Sequence, residues 1–467
     1  MPFDVITIGG GFSGLVTACR ASELGATALV LEQSEDDRYP CSSRFTTGVV
    51  NVMGIGVMSP REDLYAAIMQ GSAGMADPAI ARVIAWNGQR TIEWLSVQGA
   101  RFINRALQKD QPGQRVLAPP RRLQAGLDWE GRGGDVLMRR LEELIVARGG
   151  EVRRGAKAVE LVMDKGACVG VEVTRKGETQ RIDAKAVVVA DGGFAANREM
   201  IAKYITPRAD RVFARVGPGA KGDGIRMAEA AGARVGGFGE FYGYVHHRSA
   251  MTNPRQWPYP HLDAIAELSV LVGPDGLRFT DEGLGGVCMA NAIARLPDPL
   301  SAFLIMDAEA WANEPKYSQT VACNPAMTAN GGDLISAPTV DALATAIGAP
   351  APALAETIVR HNAGIARGDF SGLKVARTQR KHPPLPILKA PFYAVPLSAG
   401  ITGTMGGVII TPNAQATDAS GAPIKGLYAV GTTVAGLEGG PRAGYVGGLS
   451  KSFILGLVAG EHIAANR

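Results

Sequence analysis

"FDVITIGGGFSGLVTACRASELGATALVLEQ", residues 3–33, reads as one complete βαβ unit: an apolar strand, a turn of glycines, a helix that stops at Gly25, and a second apolar strand ending on Glu32. Gly9, Gly11 and Gly14 follow the spacing G-x-G-x-x-G, and each has its own physical task. The first permits the sharp turn out of the strand, the second lets the backbone reach a pyrophosphate, and the third lets helix and strand pack closely. Amide groups at the helix start, with the helix dipole behind them, favour a phosphate at that point. Glu32 stands where a carboxylate accepts hydrogen bonds from ribose hydroxyls, and its charge repels a 2′-phosphate, so FAD or NAD fits better than NADP. The fingerprint alone does not choose between those two.

Bulk composition narrows the classes. At 467 residues the chain suits two or three domains with sizeable cores. Hydrophobic residues at 46% and charged residues at 20% place it among compact globular proteins. A formal net charge of +4 is too small and too dispersed for a nucleic-acid partner. The arginine run at 115–122 carries no interleaved aromatics and reads as a solvated basic loop. Cys19, Cys41, Cys168, Cys288 and Cys323 include no CxxC pair, so neither a disulfide framework nor a metal site is expected, and the protein reads as cytoplasmic. No stretch reaches the roughly 18–20 uninterrupted apolar residues of an integral membrane segment.

Outward from the first unit, residues 133–174 read as an amphipathic helix followed by hairpin-like strands. "AKAVVVADGGFAAN" (184–197) has the apolar run of a central parallel strand, with Gly192 and Gly193 at the carboxyl end, where open α/β sheets bind ligands. "IKGLYAVGTT" (424–433) is another apolar strand, breaking at Gly431, and residues 447–466 form a long closing helix. Between about 238 and 390 the periodicity weakens and His and Tyr cluster, which reads as a second domain inserted into the first.

In order, "GGGFSGL" (9–15), "VVVADGGFAAN" (187–197), "GDGIRMAEAAGA" (222–233), "GPDGLRFTDE" (273–282), "PFYAVPL" (391–397) and "TMGGVIITPNAQATDASGAPIKGLYAVG" (404–431) resemble flavoproteins of the fumarate reductase, succinate dehydrogenase and 3-ketosteroid dehydrogenase superfamily. The resemblance spans nearly the whole chain. It implies an α/β fold: a Rossmann-like FAD-binding domain made from 1–237 and 391–467, with an inserted α+β capping domain at 238–390. The chemistry implied is hydride transfer between flavin N5 and a carbon beside a carbonyl or carboxylate, with proton transfer at the neighbouring carbon. By the same resemblance FAD is contacted by Gly9, Gly11, Phe12, Ser13, Gly14, Glu32, Gln33, Ser43, Thr47, Gly48, Ala158, Asp191, Gly192, Gly193, Gly431, Thr432, Gly447, Gly448, Leu449 and Ser450. Cys41 falls where succinate dehydrogenases carry the His bonded covalently to FAD, which opens a thioether alternative to the non-covalent default.

Two departures bear on the substrate. Thr402 and Gly403 stand where fumarate reductases carry a His-His pair, and Glu282 is followed by Gly-Leu-Gly-Gly where an acid-catalyst Arg belongs. Fumarate and succinate are therefore disfavoured. Tyr445 matches a position that is Arg in fumarate reductases and Tyr in ketosteroid dehydrogenases; a neutral phenol there donates to a ketone oxygen. Arg442 suits a second polar group of the substrate, or a carboxylate if the loop is shifted by one turn. In "GEFYGYVHHRS" (239–249), Tyr242, Tyr244, His246 and His247 are candidates for proton transfer. His261, His361, His382 and His462 read as surface or core residues.

The partners implied are a ketone, enone or oxo-acid substrate and a separate electron acceptor or donor. A pyridine-nucleotide disulfide reductase would need a second nucleotide unit and a CxxC. An aromatic hydroxylase shares only the first motif, and an RNA-linked flavoprotein would need a coherent basic face.

Overall fold

The structure is a computed structural model that describes residues 2–105, 113–379 and 382–467. Its first sheet is parallel at the core. Strand β1 (Phe3–Ile8) lies between β2 (Ala28–Leu31) and the end of strand Glu178–Val189, with Val5 opposite Ala28 on one side and Ala186 on the other. Strands Glu151–Arg153 and Pro423–Ala429 extend the sheet on its two sides, also in parallel. Every residue of β2 is buried, as the apolar run requires for a sheet covered on both faces. The antiparallel partner Ala167–Arg175 pairs with the outer half of Glu178–Val189, so one long strand serves both the hairpin and the parallel sheet.

Helix α1 (Phe12–Glu23) follows β1 directly and packs against the closing helix Gly448–Ala465. Small residues make that approach possible. A Cβ on Gly456 would come within 2.9 Å of the Ser13 carbonyl, and one on Gly460 within 2.8 Å of that of Thr17.

A second sheet is organised on the long strand Phe392–Thr404, buried through its middle from Ala394 to Ile401. Phe241–His247, Phe303–Asp307 and Ile335–Ala337 pair with it antiparallel, and Phe213–Ala214 in parallel. Its strands therefore come from both sides of the 238 and 390 positions. Within Phe241–His247 the alternation of a strand decides which side chains face the core: Phe241 and Val245 join the apolar interior, and Tyr242, Tyr244 and His246 take the other face.

The two sheets meet where the first one ends. The Phe194 N–H donates to Thr404 Oγ1 at 3.0 Å, and a Cβ on Gly193 would lie 2.3 Å from that oxygen. Gly192, at φ +92°, exchanges hydrogen bonds with Thr433 Oγ1. The double glycine at 192–193 thus lets the strand end lie flat against two neighbouring segments.

Candidate active site

Ile8, Leu31 and Val189 end at one edge of the first sheet, and the loops that follow them wall a cleft of about 1010 Å³, its mouth included. Gly9, at φ +108°, has no room for a side chain, since a Cβ would stand 2.7 Å from the Ala190 carbonyl; at Gly14 it would stand 2.1 Å from that of Gly9. Strand end and helix start are therefore as close as two backbones can come. The N-cap residue of helix α1, Gly11, offers no side-chain cap; the Phe12 N–H donates to Ser43 Oγ at 2.9 Å, and the N–H groups that follow it in the first turn are left for an anion. Glu32 accepts from the N–H groups of Gly10 at 3.1 Å and Ser34 at 2.9 Å, and burial raises its pKa. Asp191 accepts from Gly224 N–H at 2.8 Å through one oxygen, while the other is buried without a partner; burial pushes its pKa up to about 7. A helix start open to an anion, a glycine turn and a ribose-type carboxylate fit an extended dinucleotide.

Of the residues implied for cofactor contact, Gly9, Gly11, Ser13, Glu32, Gln33, Ser43, Ala158, Asp191, Gly192, Gly193 and Thr432 wall this cleft. Others support it from behind. The Phe12 ring is fully buried edge-on to Phe453, centroids 4.8 Å apart, and its N–H reaches forward to Ser43 Oγ. Gly14 is the packing contact just described, and a Cβ on Gly431 would meet Ser13 Oγ. Gly48 packs on Leu117 and Thr47 is half-buried beside it; neither belongs to the wall. Ser450 Oγ donates to the Asn51 carbonyl, Gly447 lies against that same carbonyl, and Leu449 packs on the core. Cys41 reaches the cleft, but its thiol contacts Met138 Sδ and burial pushes its pKa up to about 12, so it keeps its proton at neutral pH.

A cluster of tyrosines stands beside the cleft. Tyr445 stacks face to face on Tyr242, centroids 3.6 Å apart and planes within 9°. Its hydroxyl oxygen accepts the Gly448 N–H at 2.6 Å, which leaves the O–H free to donate. Tyr242 and Tyr244 hydrogen-bond through their hydroxyls. Burial raises the pKa of all three; for Tyr244 the Arg215 guanidinium, 4.6 Å above its ring, works against that rise. Arg215 also donates to Thr402 Oγ1 at 3.1 Å, and Thr402 walls the cleft, so the cluster and the cleft share a boundary.

The other candidates separate. His246 is fully buried behind Tyr244, neither ring nitrogen has a hydrogen-bond partner among the described residues, and burial drives its pKa well down. His247 faces away, bonded to Ser249 and Asp333. Arg442 is exposed, and its carbonyl accepts from Cys288. Glu282 is buried between Arg278 and Arg377, which lower its pKa against the opposing effect of burial.

Four residues of the cluster were not legible: Arg121, Arg215, Tyr259 and His261. Arg121, in the run read as a solvated loop, is only 7% exposed: a correction that only the tertiary fold supplies. Its guanidinium lies over Tyr259, and His261 stacks on Tyr244 at 4.6 Å. No spacing rule links positions 121, 215 and 259. Among the described residues no helix is long and apolar enough to cross a membrane, and no group of three His, Cys, Asp or Glu is set to hold a metal.

A family described as FAD binding domain matches residues 4–445. The NADH:fumarate oxidoreductase of Klebsiella pneumoniae (strain 342) is 27% identical over all of this chain and 48% of its own length. The 4-oxocyclohex-2-ene-1-carboxylate 5-dehydrogenase of Sinomonas cyclohexanicum is 30% identical over 71% of this chain and 60% of its own. This chain thus spans about half the length of the first and three fifths of the second. The crystal structure of 3-ketosteroid Δ1-dehydrogenase from Sterolibacterium denitrificans, in complex with 1,4-androstadiene-3,17-dione, shares the fold at a TM-score of 0.78, with 20% identity and all of both chains covered.

Proposed function

We propose that this chain, which belongs to the FAD binding domain family, is an FAD-dependent oxidoreductase that desaturates the CH–CH bond beside a ketone or reduces the matching enone. The observation that carries the reading is the stack of Tyr445 on Tyr242, with the Tyr445 hydroxyl held by Gly448 N–H. FAD supplies the hydride acceptor or donor when bound. The residues that would hold it are Gly9–Gly14, the start of α1, Glu32 and the 190–193 loop.

The rest falls to side chains. Burial keeps the Tyr445 phenol protonated at neutral pH, so it donates to the ketone oxygen and stabilises charge developing there. Tyr242 and Tyr244 act as a pair that takes the proton from the carbon beside the carbonyl, or returns it. Arg215 opposes the rise in the Tyr244 pKa, so Tyr244 carries the negative charge while Tyr242 donates to it. His246 in this reading is a neutral wall, and the second sheet is the cap over the cleft. The Klebsiella and Sinomonas relatives are named for fumarate and for a cyclohexenone acid, and both names support chemistry at a carbon–carbon bond beside a carbonyl. Direction depends on the electron partner.

Anaerobic titration of the FAD-loaded protein tests the reading. Bleaching of the flavin band by a saturated cyclic ketone establishes the dehydrogenase. Reoxidation of chemically reduced protein by an enone establishes the reductase. If neither ketone nor enone alters the band, the reading fails.

A further inference from the structure

Two cations in the cluster have no counter-ion among the described residues. Arg121 donates to the carbonyls of Phe45 at 3.1 Å and Gly126 at 3.4 Å, and its Nε–H is buried without a partner. Arg215 donates to Thr402, and its Nε–H is likewise buried and unpartnered. Their guanidinium carbons lie 5.2 and 5.9 Å from the centroid of one ring, Tyr259. Among the described residues neither makes an ion pair; Asp128, the acid that acts on Arg121 from a distance, is bonded to Arg132 and to the Arg122 N–H.

A third donor, Trp257 Nε1–H, is also buried without a partner, and its ring meets Phe45, whose carbonyl Arg121 holds. Like charges facing one ring repel, and buried donors without acceptors are costly, so the arrangement is complete only when an anion enters. Both guanidinium groups lie against aromatic planes, Arg121 over Tyr259 and Arg215 over Tyr244 and Tyr259. A flat anion with two oxygens matches the fork of a guanidinium and can stack on such planes.

We propose that Arg121 and Arg215 form an anion subsite that takes a carboxylate carried by the substrate. The placement rests on the reading above, because Arg215 covers Tyr244, whose hydroxyl bonds Tyr242, which stacks on Tyr445. The substrate class becomes a cyclic ketone with a carboxylate on the side of the ring away from Tyr445. Arg121 is a binding residue of this reaction, and the exposed Arg442 is not needed for the charge.

The test compares 4-oxocyclohexanecarboxylate with its methyl ester on the FAD-loaded protein, by the concentration giving half-maximal flavin bleaching. Wild type should favour the acid by about tenfold or more, as for a paired buried charge. The ratio of ester to acid should collapse toward one in Arg121→Met and recover in part in Arg121→Lys. A purely structural Arg121 would weaken both compounds alike and leave the ratio intact. A wild-type ratio near one, or a ratio that survives both Arg121→Met and Arg215→Met, overturns the subsite. Should Arg121→Met fail to retain flavin, the wild-type ratio and Arg121→Lys decide. Calorimetric binding of cyclohexanecarboxylate, which has no ketone, separates the two ideas: binding by wild type that is lost in Arg121→Met supports the subsite even where no ketone bleaches the flavin.

Discussion

In the cleft, Glu32 meets the N–H groups of Gly10 and Ser34, Gly14 packs on Gly9, and the Ala190 N–H continues the ladder from Ile8. In the tyrosine cluster, by contrast, Tyr445, Tyr242, Arg215 and Arg121 come from four separate segments, and the buried Nε–H of both arginines and the Nε1–H of Trp257 lack acceptors among the described residues. The cleft is mostly backbone, shaped by where side chains are forbidden. The cluster is built of side chains. A region made of backbone holds a cofactor through geometry common to many sequences, whereas a region made of side chains is where specificity and proton transfer reside.

The largest effect that tests this contrast belongs to the proton pair. Tyr244→Phe should lower turnover by about 10²–10⁴-fold with flavin content unchanged. Because the pair must lose a proton whose pKa lies above the ordinary tyrosine value, the wild-type dehydrogenation rate should climb about tenfold per pH unit through the neutral and mildly alkaline range. A flat profile would remove the pair from catalysis. Next comes Tyr445→Phe, which removes one donor to the ketone oxygen and should cost roughly 10²–10³ in kcat, again with flavin retained. Unchanged turnover there would end the role given to Tyr445.

On the cleft side, Glu32→Ala should weaken FAD affinity by about 10–100-fold, the range for hydrogen bonds to a charged group, as read by flavin retained after dialysis. The part of the protein that stays loaded should turn over normally. Loss of turnover in loaded protein would blur the division between the regions. The smallest effect is electrostatic. Asp191 is pushed up to about 7 from an unfolded value near 4, so the folded chain binds the extra proton between those pH values. Stability of the flavin-free protein should therefore fall as pH rises from about 4 to about 7, and Asp191→Asn should flatten that fall in urea midpoints measured across the window. An equal slope in both proteins would reassign it to other groups.

Much of the cleft was legible because its signals are local. Gly9, Gly11, Gly14 and Glu32 lie in one short stretch, and each is constrained by a turn, a close contact or a strand end within that stretch. Phe12 shows the limit: it sits inside the motif, yet its ring turns to Phe453 in the closing helix. In the cluster, Tyr242 and Tyr244 were legible only as two of four proton-transfer candidates with His246 and His247; that Tyr242 and Tyr244 share a face of one strand and bond each other is a finding of the fold. The stacking of Tyr242 on Tyr445 was not legible, nor was the burial of Arg121.

The sequence by itself therefore determined the parallel sheet, the glycine turn and the acid at its edge, because chain sterics and hydrogen-bond periodicity act over a few residues. Only the tertiary structure decided which of many polar side chains meet. Arg121, Arg215, Trp257 and Tyr259 converge because loops from distant positions are fixed by the packing of two sheets, and no short-range rule encodes the distance between them.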